Sequence, residues 1–377
     1  MPMQSISPIA KRNTGLDALR GVAVLLMVQQ HLGAWLWNEP WNNVQNLIKN
    51  HAFMMGLNGL GGFAAPLFIT IAGMSAQLYI ARNNQGNKAF QISNIKFPIP
   101  NGILTLALRG LIIIAFGYML NIAIPSWFSP ASWYVLHMIG FGIFVSPLLR
   151  RLKPWQLLIL SLLFLAATLA IRSSLDTPLA ISNKRMADYT MQGGVWRLII
   201  AEGHFSIFPW TAAFIWGAMS ASWLHKQQQK RIIYFSITCA LAGALLALAP
   251  SAGTNDIARR LMRFSTNMYT IPLSLFFLLN AASLLCIALF SSSKMQSLFS
   301  ETNVLVCLGR SSLTILIVHV AIFRQAAIAA SMFKLLNTAQ TLGAIAAILI
   351  AFSLLARLWQ KAGYKYGAEW VLRKLAG

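Results

Sequence analysis

An aspartate, an arginine and a histidine share one apolar run, "LDALRGVAVLLMVQQHLGAWLW", which begins at Leu16. Ionisable groups are costly in hydrocarbon, and a membrane-spanning segment that keeps them usually does so at a working site. Arg20 and His31 are 11 residues apart. At about 100° per residue that spacing returns to nearly the same helix face, and at 1.5 Å per residue it lies about 16 Å further along. Asp17 precedes Arg20 by three residues, within reach on that face. The pattern describes a cation and a carboxylate at a mouth, with a titratable base near mid-membrane, both looking into one cavity.

Two further arginines have the same placement. Arg109 and Arg310, like Arg20, fall in the first half of odd-numbered apolar spans, the third and the ninth. Singly, each is explained by snorkelling to the interface. Together they describe a basic pocket, with Asp17 at its edge, for an anionic ligand, because guanidinium forks suit phosphates. His319, in "LGRSSLTILIVHV", follows Arg310 by nine residues, which places the two on opposite faces of an ideal helix. It joins the same cavity only if Arg310 points elsewhere or the helix is distorted. His51, His137 and His204 with Glu202 beside it fall near the other ends of their spans, where a histidine bonded to a loop carbonyl is the bland explanation. The glycines at 56, 59, 61 and 62 match no phosphate loop and suit close helix packing.

The elements that must position these groups are membrane helices. Of 377 residues, 57% are hydrophobic and 10% charged, against about 25% charged in soluble domains. About ten spans of sufficient length can be read: 16–37, 53–81, 102–124, 132–149, 155–172, 205–224, 232–250, 268–290, 303–325 and 336–358, the second with a kink expected at Pro66. The net charge of +22 comes from basic residues scattered through short loops, which argues for basic cytoplasmic loops rather than nucleic-acid binding. With the N-terminus inside, seventeen Lys and Arg fall in inner segments and ten in outer ones, so an N-in, C-in orientation is expected. Cys239, Cys286 and Cys307 lie in apolar runs with no disulfide framework and no metal-ligand spacing. The expected fold class is an all-α polytopic membrane bundle, one domain over 1–377, with cytoplasmic tails at 1–14 and 359–377.

The motifs "LDALRGVAVLLMVQQHL", "FAAPLFITIAGMS", "WYVLHMIGFG", "FPWTAAFIWGAMS" and "LGRSSLTILIVHV" follow one another from about residue 12 to 325. In order and spacing this series resembles the heparan-α-glucosaminide N-acetyltransferase-like membrane proteins. These belong to a superfamily of transmembrane acyltransferases that includes the acyltransferase-3 group. The resemblance implies acyl-CoA (acetyl-CoA) as cytosolic co-substrate, without a metal, and transfer of the acyl group to an amine or hydroxyl of a carbohydrate at the outer face. A bacterial inner membrane is the implied location, with lipids as neighbours; a homo-oligomer is left open. Arg20, Arg109 and Arg310 with Asp17 would then serve the CoA, and His204, Glu202 and His137 the acceptor. His31, His51 and His319 are the catalytic candidates, His31 foremost. Some relatives have Asn where His31 stands, and the family's loop histidine matches His51 when counted back from "APLF". A histidine base and an acyl-imidazole intermediate both fit. A multi-helix transporter or lipid flippase is the competing class, although no inverted repeat is evident.

Overall fold

The computed structural model describes residues 12–39, 44–83, 89–92, 95–179, 193–249, 255–265, 268 and 270–376; Lys11, Lys88, Lys184 and Arg185 of the charge count lie outside them. Apolar segments in hydrocarbon must close their own backbone hydrogen bonds, and the chain is helical for that reason. Helix α1 (Thr14–Leu36) starts at Asn13, whose side chain accepts from the Leu16 N–H at 3.0 Å, the usual relief for unbonded first-turn donors. Short helices α2 (Val44–Asn50) and α3 (Ala52–Gly61) lead to α4 (Ala64–Asn83). A two-stranded antiparallel hairpin, β1 (Ala89–Ile92) and β2 (Ile95–Pro100), precedes α5 (Asn101–Ala123), α6 (Val135–Leu149) and α7 (Pro154–Ser174). Helix α8 (Gly194–Arg197) continues as a π turn over Leu198–Glu202 and meets α9 (Ile207–His225) at a 42° bend. Then come α10 (Gln229–Leu248), α11 (Asp256–Leu261), α12 (Leu273–Phe290) and α13 (Ser293–Leu298). The last part holds α14 (Val304–Arg310), α15 (Ser312–Val318), a π turn over His319–Phe323, α16 (Arg324–Ala329), α17 (Thr338–Lys361) and α18 (Ala368–Ala376).

Within the described residues, which leave out 250 and 269, each of the ten expected spans falls mainly on a helix or a run of helices. Among the described residues, seven segments are long and apolar enough to cross a membrane, or eight with the bent α8–α9 pair counted as one. Helix α1 has the length, but Asp17, Arg20 and the Gln29–Gln30–His31 triplet lower its apolarity, and α6 has only 15 residues. The outward faces carry exposed Ile122, Leu148, Leu163, Leu245 and Leu354, as an integral membrane bundle requires. The break expected at Pro66 lies instead at Gly62 and Phe63, between α3 and α4. Pro66 falls in the first turn of α4, where its missing N–H leaves no bond unmade.

Two close approaches set the position of the charged end. A Cβ on Gly309 would lie 1.8 Å from the Asp17 carbonyl oxygen, and one on Gly21 would lie 2.0 Å from that of Leu305. Only the missing side chains let α1 and α14 touch backbone to backbone, which delivers Arg310 to Asp17. Of the glycines expected to serve helix packing, Gly61 does so, since a Cβ there would lie 2.3 Å from the Gln30 Cβ, whereas one on Gly56 or Gly59 would meet nothing within 4 Å. Large buried side chains of α1, α5, α6 and α15–α17 form one apolar core around the middle of α1. A second core lies between α4, α7, α9, α10 and α12.

Candidate active site

The first-turn carboxylate of α1 is the hub of the charged end. Asp17, 2% exposed, accepts from Arg12 Nε at 2.6 Å, Arg20 Nη1 at 2.8 Å and Arg310 Nε at 3.3 Å. Arg20 also donates through Nη2 to Ser75 Oγ at 2.5 Å. Arg310 Nη1 lies 3.5 Å from Glu301. A buried carboxylate with several charge-assisted partners holds those guanidiniums in fixed orientation. They line a cavity of about 450 Å³, which also receives Arg82, Arg109 and Arg373 against only one further acid, Glu369. Arg109 lies over the Tyr79 ring at 4.7 Å. The deeper wall is apolar, with Ile113, Val135, Leu136 and Leu316. A basic mouth above an apolar shaft suits an anionic head with a slender apolar arm.

The three arginines singled out by the sequence do meet at this cavity, together with Asp17. Arg12, Arg82 and Arg373 join them and were not singled out, because each lies beyond the end of a span. His31 departs from expectation. It does not line the cavity that Arg20 lines; the lining stops at Leu316, one helical turn before His319.

His31 and His319 are instead paired with each other. His31 Nδ1 lies 2.7 Å from His319 Nε2, and His319 Nδ1 lies 2.8 Å from the Ile315 carbonyl oxygen. A carbonyl can only accept, so His319 carries its proton on Nδ1, and in its neutral form Nε2 accepts. His31 Nδ1 is therefore the donor, which leaves the lone pair of neutral His31 on Nε2. If that nitrogen takes a proton, the imidazolium keeps its bond to a neutral acceptor. His319 is fully buried, while His31 keeps part of its surface open. The second ring orients; the first has the reactive nitrogen.

A helical distortion makes this pairing compatible with Arg310 at the cavity. Ser311, at φ −110° and ψ 16°, breaks α14 from α15, and His319 opens a π turn. Both changes shift the helical phase, so a nine-residue spacing no longer means opposite faces. Trp35 stacks on His31 at 5.4 Å between ring centres, and Trp127 meets it edge-on at 5.1 Å. Arg324 fixes the Trp127 loop. It bonds the Ser126 hydroxyl and, at 3.0 Å, the Ser126 carbonyl, and lies over the Trp127 ring at 5.6 Å.

A family model of the heparan-alpha-glucosaminide N-acetyltransferase catalytic domain matches residues 12–255. The chain belongs to this family. It is accordingly a membrane acetyltransferase by kinship. A search of curated proteins gives no match. The match includes Asp17, Arg20, Arg109 and His31 and ends before Arg310 and His319. No three His, Cys, Asp or Glu side chains cluster as metal ligands among the described residues.

The other candidates of the family reading sit apart from the His31 pair. His51 caps the start of α3, with Nδ1 3.1 Å from Thr338 Oγ1, Nε2 3.6 Å from Glu39, and Trp37 edge-on. Glu202 is fully buried and accepts from Arg197 at 2.5 Å and Thr177 at 2.7 Å. His137 is also fully buried; its Nδ1 accepts from the Tyr134 N–H at 3.2 Å and its ring packs among Tyr118, Trp133 and Tyr134. Only His204, at the bend before α9, keeps exposed surface among the three residues expected to meet the acceptor.

Proposed function

We infer that this single membrane domain moves an acetyl group from cytosolic acetyl-CoA to a carbohydrate amine or hydroxyl at the opposite face, with both chain termini inside. The observation that carries the reading is the cavity of about 450 Å³, where six arginines converge with two acids. Phosphates of the co-substrate pair with Arg20, Arg109 and Arg310, which Asp17 helps to hold in place. The thioester arm follows the apolar wall towards the histidines. The distance from Arg20 to His31, about 16 Å along α1, is one that an extended pantetheine arm spans.

His31 Nε2 then has one of two uses. As a base it takes the proton while the acceptor nitrogen or oxygen attacks the thioester carbonyl; a C–N or C–O bond forms, the C–S bond breaks, and the thiolate leaves with CoA. As a nucleophile it takes the acetyl group first and passes it to the acceptor. His319 orients the ring in both cases. Acetyl-enzyme that accumulates without acceptor marks the second route.

The test is acetyl-CoA binding and thioester cleavage by the purified protein, with and without amino sugars. Acceptor-dependent release of free CoA supports the reading. Binding without cleavage, with movement of the ligand across a vesicle membrane, would instead favour a transporter. No affinity for acetyl-CoA overturns the reading.

A further inference from the structure

The C-terminal tail is a wall of the cavity. After α17 the chain reverses through Gly363, Tyr364 and Tyr366, all at positive φ, and Trp359 Nε1 ties the turn by donating to the Lys365 carbonyl at 2.8 Å. Helix α18 then presents Glu369, Leu372 and Arg373 to the cavity, positions that share one helical face. A flanking face carries Trp370 with Lys374 above its ring at 5.7 Å, an interfacial pairing that suits a helix lying along a membrane surface.

Glu369 fastens this helix to the histidine-bearing segment. Its Oε1 accepts from the Leu313 N–H at 2.6 Å and the Thr314 N–H at 3.2 Å, and its Oε2 accepts from the Thr314 hydroxyl at 2.5 Å. The Ala368 N–H donates back to Thr314 Oγ1 at 2.8 Å. These are first-turn donors of α15, so the carboxylate caps that helix, and His319 follows directly at its other end. One side chain therefore joins the cavity wall to the helix that positions the His31 partner.

Charge balance separates Arg373 from the arginines that share Asp17. Arg12, Arg20 and Arg310 share Asp17, whereas Arg373 makes no ion pair among the described residues and its side chain is exposed at the cavity. Arg82, at the end of α4, is in the same position. Two guanidiniums without an acid partner, facing one cavity, suit a dianionic phosphate monoester better than a diester, which carries one charge on each phosphorus. CoA carries one such monoester on its ribose.

We propose that α18 is a strap that completes the acyl-CoA site, with Arg373 binding the ribose phosphate monoester and Glu369 positioning both the strap and the His319 helix. The proposal rests on the acyl-CoA reading and lies outside the matched residues 12–255. Arg373→Gln raises KM for acetyl-CoA about tenfold or more, and changes KM for acetyl-dephospho-CoA, which lacks the monoester, less than about twofold. Glu369→Ala raises KM and lowers kcat together, and Glu369→Gln, which keeps one acceptor oxygen, restores much of both. A melting temperature measured on each variant separates this pattern from simple loss of fold. If Arg373→Gln raises KM equally for both thioesters, or for neither, in a protein whose wild type turns over acetyl-CoA, the monoester assignment is wrong. If Glu369→Ala leaves kcat and KM at wild-type values, the strap has no positioning role. A wild type that does not bind acetyl-CoA overturns the underlying reading, and the subsite falls with it.

Discussion

The two ends of the bundle both gather arginines, and they use them differently. At the α1 start, Arg12, Arg20 and Arg310 converge on Asp17 beside a cavity of about 450 Å³. At the far end, Arg172 and Arg260 are 6% and 9% exposed, beside a space of about 20 Å³, which holds about one water. There Arg172 donates to the Ala201 carbonyl at 3.3 Å and the Ile271 carbonyl at 3.0 Å, and Arg260 to Asp256 at 2.5 Å. Arg172 is occupied in tying segments together and Arg260 in an ion pair within α11, as Arg197 is with Glu202 and the Leu175 carbonyl. Residue type alone does not make an anion site. Space does, together with charge that the protein itself leaves unbalanced.

Asp17→Asn tests the comparison most severely. It leaves three guanidiniums around a neutral amide, and breaking a buried ionic cluster by removal of one partner costs about 3–5 kcal/mol. Thermal unfolding in detergent should show a marked fall, with acetyl-CoA bound in excess restoring part of it. A midpoint within a degree of the wild type would mean that Asp17 is not the hub that the geometry describes.

Arg20→Ala should weaken acetyl-CoA binding about 10- to 100-fold, since a hydrogen bond to a charged group is worth about 1.5–3 kcal/mol. Arg260→Ala should change that affinity less than twofold. Titration calorimetry on both variants would collapse the distinction between the two ends if the losses were alike. The smallest effect is expected for Arg259→Ala, which removes only the exposed member of the Asp256 pairs. It should lower stability by no more than about 1 kcal/mol, and a larger fall would show the far end to depend on its charges as the near end does.

Much of the near end was legible because it is local. Asp17 and Arg20 are one helical turn apart, so their pairing follows from α1 alone. Trp35 stands four residues after His31 and stacks on it for the same reason. Arg310 reaches Asp17 only because Gly21 and Gly309 let two distant helices touch, which no spacing within either helix announces. The His31–His319 bond was hidden by the assumption of a regular helix; the break at Ser311 and the π turn at His319 change the phase. Trp127 and Arg324 come from separate segments and meet only in the fold. Arg373 sat in a stretch read as a basic tail, although Glu369, Leu372, Arg373 and Ala376 already had the spacing of one helix face.

The claim on which the account turns is that His31, with His319 behind it, has the reactive nitrogen. The direct measurement is acetyl transfer and acetyl-CoA affinity in the same preparation of His31→Ala, with His51→Ala beside it. Loss of the base should cut turnover about 10²–10⁴-fold while acetyl-CoA binds within about twofold of the wild type, and His51→Ala should alter acceptor use more than the chemical step. Near-normal turnover in His31→Ala, with His51→Ala inactive, would contradict the account and move the chemistry to the loop histidine.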